Sequence, residues 1–325
     1  MSRRADAITR RSAACLLLSC SLLTAAYADT ASAERALQQG RADEAARLIS
    51  TVISSQPSDA SAHQLLCRVY YAEEMADAAI KECEQAVNSA PDRSDNQMWV
   101  GRAYGLKALN AGPFTALSLA KKVRLAFERA VQLDPANIPA ANALGEFYIE
   151  APSLIGGGFD KAERVAAGIQ RFSPASTHRL RAMIAEKQKD MGKAEMEFRG
   201  AVDAGRKPDA WVDLGAFYQR QHQTDKAVAA LQSALDADRA HGAALMDVSS
   251  ILTDAHRSPD LAEKVLRLYL ASPAKSEAAP AFKVHVQLGQ LLAQRGDRDG
   301  AHREYLAALE LAPAFAPARK ALQGG

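Results

Sequence analysis

A small residue returns along this chain at a nearly constant distance, and no other feature restricts its fold as tightly. Ala45, Ala79, Val123, Ala162, Ala194, Ala227, Ala262 and Ala301 are separated by 34, 44, 39, 32, 33, 35 and 39 residues. Each lies in a stretch with apolar residues at helical spacing, and a second such stretch precedes it. A fixed period of about 20–50 residues marks stacked units, none of which can bury its apolar face alone. The expectation is a row of eight helical hairpins, three of whose steps contain insertions. Composition agrees: 48% hydrophobic and 24% charged residues fit a folded chain, and 6% aromatic suits close helix packing better than a sheet sandwich.

The units share a grammar. From Pro208, residues Trp211, Leu214, Gly215 and Tyr218 fall on one helix, and Ala227, Leu231 and Ala234 on the next. Leu288, Gly289, Gly296, Ala301, Tyr305, Ala308 and Pro313 repeat the pattern, as do Leu66, Tyr70, Ala79, Cys83, Ala86 and Pro91. A small residue on the first helix (Gly101, Gly145, Gly215, Gly289) admits the second helix, whose alanine completes the contact. Prolines 57, 91, 135, 174 and 313 follow second helices, which they cannot extend. With these residues in place, the chain resembles the tetratricopeptide repeat family from about Ala31 onward. The resemblance implies an all-α fold, a right-handed α-α superhelix of about eight hairpins plus a C-terminal capping helix. Approximate units are 29–59, 60–93, 94–137 and 138–176 (the last two with insertions at 108–118 and 152–158), then 177–207, 208–241, 242–281 and 282–315. A cap follows at 316–325, where Ala318 and Leu322 would face inward. The fifth unit lacks the glycine and tyrosine, the seventh has "DVSS" in their place, and the first has a short, weakly capped leading helix.

Ahead of the repeats, Arg3, Arg4, Arg10 and Arg11 precede "SAACLLLSCSLLTAAYA". A basic head, a short apolar core and the small-x-small end Ala26-Tyr27-Ala28 make a signal peptide over 1–28, and hence export, with the periplasm expected. Acylation at Cys20 would need the apolar run to end there, and it continues. Removing 1–28 takes four arginines and one aspartate, so net charge moves from +2 to −1. A near-neutral chain offers no electrostatic footprint for nucleic acid, and no membrane span is expected in the mature part. Cys67 and Cys83 remain, both at positions facing the interior of one unit. A disulfide and a pair of buried thiols both fit them.

Candidate chemistry is sparse. "FYIEAPSLIGGGFDKAE" places three glycines before Lys161. A phosphate loop needs G-x-x-x-x-G-K-[ST] after a strand; here Ala162 follows the lysine and a helix precedes. Asp160 instead reads as an N-cap with Glu163 closing a capping box. Histidines 63, 178, 222, 241, 256, 285 and 302 form no metal-ligand spacing, no nucleophile motif is present, and "AKKVR" at 120–124 reads as a solvated face. No enzyme, cofactor or metal is expected.

In the resemblance, first helices line a concave groove that binds peptides or proteins. Its positions here are Gln64, Arg68, Tyr71, Met98, Arg102, Asn142, Glu146, Val212, Gln219 and Arg220, with Tyr71 and Met98 exposed. The lysine and asparagine set by which some chaperone-binding members hold a C-terminal carboxylate is absent. The stretches "LLCRVYYAEEMADAAIKECEQAV", "WVGRAYGLKA" and "LAKKVRLAFERAVQLDP" further resemble exported bacterial repeat proteins. The leading expectation is an envelope interaction scaffold with an unidentified protein or peptide partner. The alternative is a small-ligand or transport-accessory protein, the insertions forming a pocket mouth beside Phe114 and Leu154.

Overall fold

A computed structural model describes residues 29–324. The leader, with Cys15 and Cys20, lies outside the described residues. Among those described there are helices and no strands. They pair as α1 (29–38) with α2 (Ala42–Ser55), α3 (Ala60–Ala72) with α4 (Ala76–Ser89), and α5 (Ser94–Ala108) with α6 (Pro113–Leu133). Next come α7 (Ile138–Glu150) with α8 (Phe159–Ile169), α9 (Pro174–Lys187) with α10 (Met191–Gly205), and α11 (Pro208–Arg220) with α12 (Thr224–Ala237). The last pairs are α13 (Ala244–Asp254) with α14 (Pro259–Ala271) and α15 (Ala281–Gln294) with α16 (Arg298–Leu311), followed by α17 (Ala316–Gly324). No helix among the described residues is long and apolar enough to cross a membrane.

Local chemistry explains the boundaries. Asp59, Asn137, Ser173, Asp190 and Asp297 cap their helices by accepting backbone N–H bonds. Prolines 113, 139, 174, 208 and 259 occupy first turns, where a missing N–H costs nothing. Within hairpins the turn requires one residue in the left-handed region. Gly40 and Gly296 fill it in the first and last, but Glu74, Lys189, His222 and His256 fill it in others. Histidine is among the non-glycine residues enriched there, which accounts for two of the seven histidines.

Three more histidines share one register. His63 pairs with Glu82 (2.6 Å), His178 with Glu197 (2.7 Å) and His285 with Glu304 (2.7 Å), each nineteen residues apart across a hairpin. Successive hairpins are joined by a second recurring bracket. The hydroxyls of Tyr104, Tyr148 and Tyr218 donate to Glu84, Glu128 and Glu195 of the preceding unit, at 2.6–2.8 Å. Lys122, Lys161 and Lys226 lie over the same three rings, 4.7–5.5 Å from the centroids. Burial and the carboxylate together push the Tyr104 and Tyr148 hydroxyls well up, so these stay donors at any ordinary pH.

The array returns on itself. Ala33, Ala36, Leu37, Ala42, Ala45 and Ile49 of the first hairpin share one buried cluster with Phe282, Leu288, Ala308, Phe315 and Ala318 of the last hairpin and cap. Helix α2 packs against α16. The turn at Gly40 lies so close to α15 that a Cβ there would overlap the Ala281 backbone. Across this seam Lys283 bonds Glu74 (2.7 Å), and the Glu277 N–H donates to Gln38 (3.1 Å). The weak N-terminal cap is thereby explained: the first hairpin faces the eighth, not water. The expected open groove becomes the inner face of a closed ring.

Candidate functional site

The first helices of the hairpins form this inner face. One position, recurring at about the repeat length, carries Glu34, Arg68, Arg102, Glu146, Arg179, Asp213 and Asp247. Arg68 is held by two carboxylates from opposite ends of the chain: Glu34 at 2.6 and 2.9 Å, and Glu277 through its Nε at 3.0 Å. Those two partners hold the guanidinium pKa above its ordinary value against the opposing effect of burial. Arg179 repeats the arrangement between Glu146 (2.5 Å) and Asp213 (3.0 Å). A concavity of about 400 Å³ lies there, lined by Arg179, Met183, Glu186, Asp213 and Arg220.

Between these clamps the charges separate. Arg102 stacks on Trp99 at 4.7 Å, and Tyr71 meets the same indole edge-on at 5.5 Å. No carboxylate among the described residues pairs with Arg102. Asp247 likewise has no cationic partner among them. It is open to solvent yet crowded by the inner wall: the surrounding protein first, then the Asp209 and Asp213 carboxylates, push its carboxyl up to about 6. Burial also raises Asp213, against the pull of Arg179. The inner face thus carries a basic aromatic cluster on the second and third hairpins and an acidic one on the sixth and seventh.

The ten positions expected to contact a partner divide. Tyr71, Arg102, Asn142, Glu146, Gln219 and Arg220 retain solvent access, although Glu146 is paired with Arg179 and Arg220 is bidentate to Glu186 at 2.9 Å. Met98 is 5% exposed, so it belongs to the core and not to an exposed surface. Gln64 and Val212 are buried too. The reason is curvature: neighbouring first helices touch on the inside, and Gln64 donates to Asn96 (2.9 Å) instead of facing the groove. Arg68 is consumed by the seam. Arg179 and Asp247 were legible from the repeat register and absent from the expected groove, as was Trp99, which lies three residues before Arg102.

The glycine triplet is a backbone device. The N–H groups of Gly156, Gly157 and Gly158 donate to the carbonyls of Ser153, Pro152 and Tyr148 at 2.8–3.1 Å, leaving none for a phosphate. Lys161 donates to the Gly156 carbonyl at 2.7 Å. Gly156 has φ +100°, and a Cβ on Gly157 would overlap the Ala151 carbonyl. Helix α8 starts two residues earlier than expected, so Gly158 occupies the N-cap position without a side-chain bond. Asp160 is therefore not the N-cap, and Glu163 pairs with Arg181 (2.8 Å) in place of closing a capping box. Nor do the insertions frame a pocket mouth: Phe114 and Leu154 both project into solvent. Cys67 and Cys83, both fully buried, are joined in a disulfide with Cα atoms 5.2 Å apart.

Tetratricopeptide repeat models match residues 36–100 and 208–241. Yeast Tom70 superposes with TM-score 0.52 at 17% identity, covering 87% of this chain and 59% of that one. A thermophilic repeat protein of Thermus thermophilus covers 71% of this chain and 99% of its own at 17% identity, TM-score 0.48. In sequence, a BBSome complex member BBS4 homolog of Drosophila melanogaster is 23% identical over 192 residues, 55% of this chain. The chain spans only 37% of that relative's length. The chain carries tetratricopeptide repeats over these two stretches, and a fold built from them suggests a protein-interaction scaffold.

Proposed function

We propose that this protein is an exported scaffold whose inner face holds an extended, mixed-charge peptide segment of a partner protein. One observation carries the reading: Arg102 on Trp99 and Tyr71, and Asp247 beside Asp209, occupy the same repeat position of the inner face, and neither charge has a counter-ion among the described residues. Unpaired opposite charges at separate places on one inner face suit a strand bearing both signs, the carboxylate set at the arginine and the cation at the aspartates. Export is supported by the leader pattern of residues 1–28 and by the Cys67–Cys83 bridge, which persists in oxidising compartments. A place in an envelope assembly also fits the fly relative's description as a complex member. The test compares crosslinked partners recovered with the wild type, Arg102→Glu and Asp247→Lys, all confirmed folded. A protein enriched by the wild type and lost from both variants supports the reading. Unchanged recovery by both variants sinks the inner face as the site. Detection of the chain in the cytoplasm with its leader intact sinks the export claim separately.

A further inference from the structure

Helix α6 is apolar on two opposite sides. Its buried side carries Leu119, Val123, Ala126, Phe127 and Ala130, as the repeat demands. At 3.6 residues per turn, Phe114, Leu117, Lys121 and Leu125 lie within about a quarter of the circumference on the other side. Phe114 is 89% exposed, Leu125 56% and Leu117 37%. The helix has 21 residues against 15 in α5, so its first turns extend roughly 9 Å past its partner. Leu109, 80% exposed, adds to this end of the hairpin. The second insertion joins the same region. The Ser153–Ile155 turn packs on α6, Gly156 touches Arg124, and Leu154 projects 85% exposed.

The chain segments that carry these side chains contribute charges of one sign only. From Asn96 to Phe127 there are five cations (Arg102, Lys107, Lys121, Lys122 and Arg124) and no carboxylate, and Ala151–Phe159 is uncharged. Asp77 neutralises Lys107 and Glu128 neutralises Arg124, while Arg102 belongs to the inner face. Lys121 and Lys122 remain exposed, Lys122 over Tyr104, and Lys121 sits within the apolar stripe. A protein partner calls for a groove or a shaped pocket, whereas Leu109, Phe114 and Leu154 stand out almost fully from a projecting end. A lysine inside such a stripe can lay its stem along apolar surface and raise its ammonium to headgroup level.

We propose that the two insertions form a docking surface for an anionic lipid membrane: Leu109, Phe114, Leu117 and Leu154 enter the interface while Lys121 and Lys122 meet lipid phosphates. Exposed apolar side chains and a few basic residues each supply part of reversible interfacial binding, and the basic part weakens with salt. This surface lies apart from the inner face, so it stands or falls independently of the peptide reading.

Vesicle co-sedimentation tests it, with phosphatidylcholine alone and with phosphatidylcholine mixed with phosphatidylglycerol. The wild type is compared with Leu109→Ser/Phe114→Ser and with Lys121→Glu in the same full chain, so any contribution of the leader is common to all. The changed side chains are exposed, and matching thermal melts confirm intact folds. Expected is preferential binding to the phosphatidylglycerol vesicles, reduced about tenfold or more in the double variant and made less lipid-selective by Lys121→Glu. Equal partitioning of the wild type and the double variant overturns the proposal. So does wild-type binding that ignores lipid charge. Loss of a protein contact in the double variant, with vesicles unbound by the wild type, would assign the patch to a protein partner instead.

Discussion

Replacing Glu73 by glutamine should strengthen the ring at neutral and alkaline pH and leave it little changed in acid. Glu73 ends α3 beside the seam and is only 6% exposed. Burial first, and then the Asp43 carboxylate, push its carboxyl from an ordinary 4.5 up to about 7, with Arg319 opposing them. A carboxyl with a raised folded-state value contributes stability that is complete below the unfolded value and is lost as pH rises through the folded one. The window is therefore pH 4.5 to 7. Its full height is about 3 kcal/mol at 1.36 kcal/mol per decade, of which roughly 2–3 kcal/mol falls between pH 5 and 8. Glutamine keeps the shape and has nothing to ionise. Because hairpin arrays open locally, the measurement is hydrogen exchange across Ala42–Ser55 together with urea unfolding, at pH 5 and pH 8. Other groups that titrate here, Asp247 among them, cancel in the comparison of variant with wild type. The wild type should weaken towards pH 8 more steeply than Glu73→Gln. Equal pH slopes, or a variant less stable at pH 8, would refute the reasoning.

Three further outcomes follow from the geometry. Arg68→Ala leaves Glu34 and Glu277 without their shared cation. Since both keep some water, the loss should be about 2 kcal/mol, seen as faster exchange over residues 272–280 and a lower urea midpoint. Reducing the Cys67–Cys83 bridge, whose cysteines are 16 residues apart, should lower the opening free energy of the α3–α4 hairpin by about 3 kcal/mol, read by exchange with and without reductant. Gly157→Ala meets the Ala151 backbone carbonyl and should cost about 2 kcal/mol or more in thermal unfolding, while Gly112→Ala, which has open space around it, should cost far less.

Much of the fold was legible because each hairpin depends on near neighbours. Ala227 and Gly215 announce a helix pair wherever they occur at that spacing, and eight recurrences determine the architecture. Closure is a sum over the whole ring, and no local pattern encodes it. Glu277 finds Arg68 only because small rotations at every interface add up to one turn. The same cause misplaced Met98, Val212 and Gln64: inward curvature brings adjacent first helices together and narrows the strip left for a partner. Asp160 was misread because the helix start was set by the Gly158 N–H bonding the Tyr148 carbonyl, a contact ten residues long. The histidines were legible and overlooked, since His63, His178 and His285 each precede a glutamate by nineteen residues. The polarity of the inner face needed both the register and the closure.

Ring closure is the claim on which the seam and the enclosed inner face rest, and a zero-length carbodiimide crosslink tests it without any mutation. Glu74 and Lys283, 209 residues apart, form an ion pair at 2.7 Å. The account predicts an isopeptide between these two side chains, recovered by mass spectrometry from the monomeric fraction. Failure to form it in the monomer, while near-neighbour pairs such as Glu150–Lys187 (2.5 Å) do crosslink, would mean that the array is open.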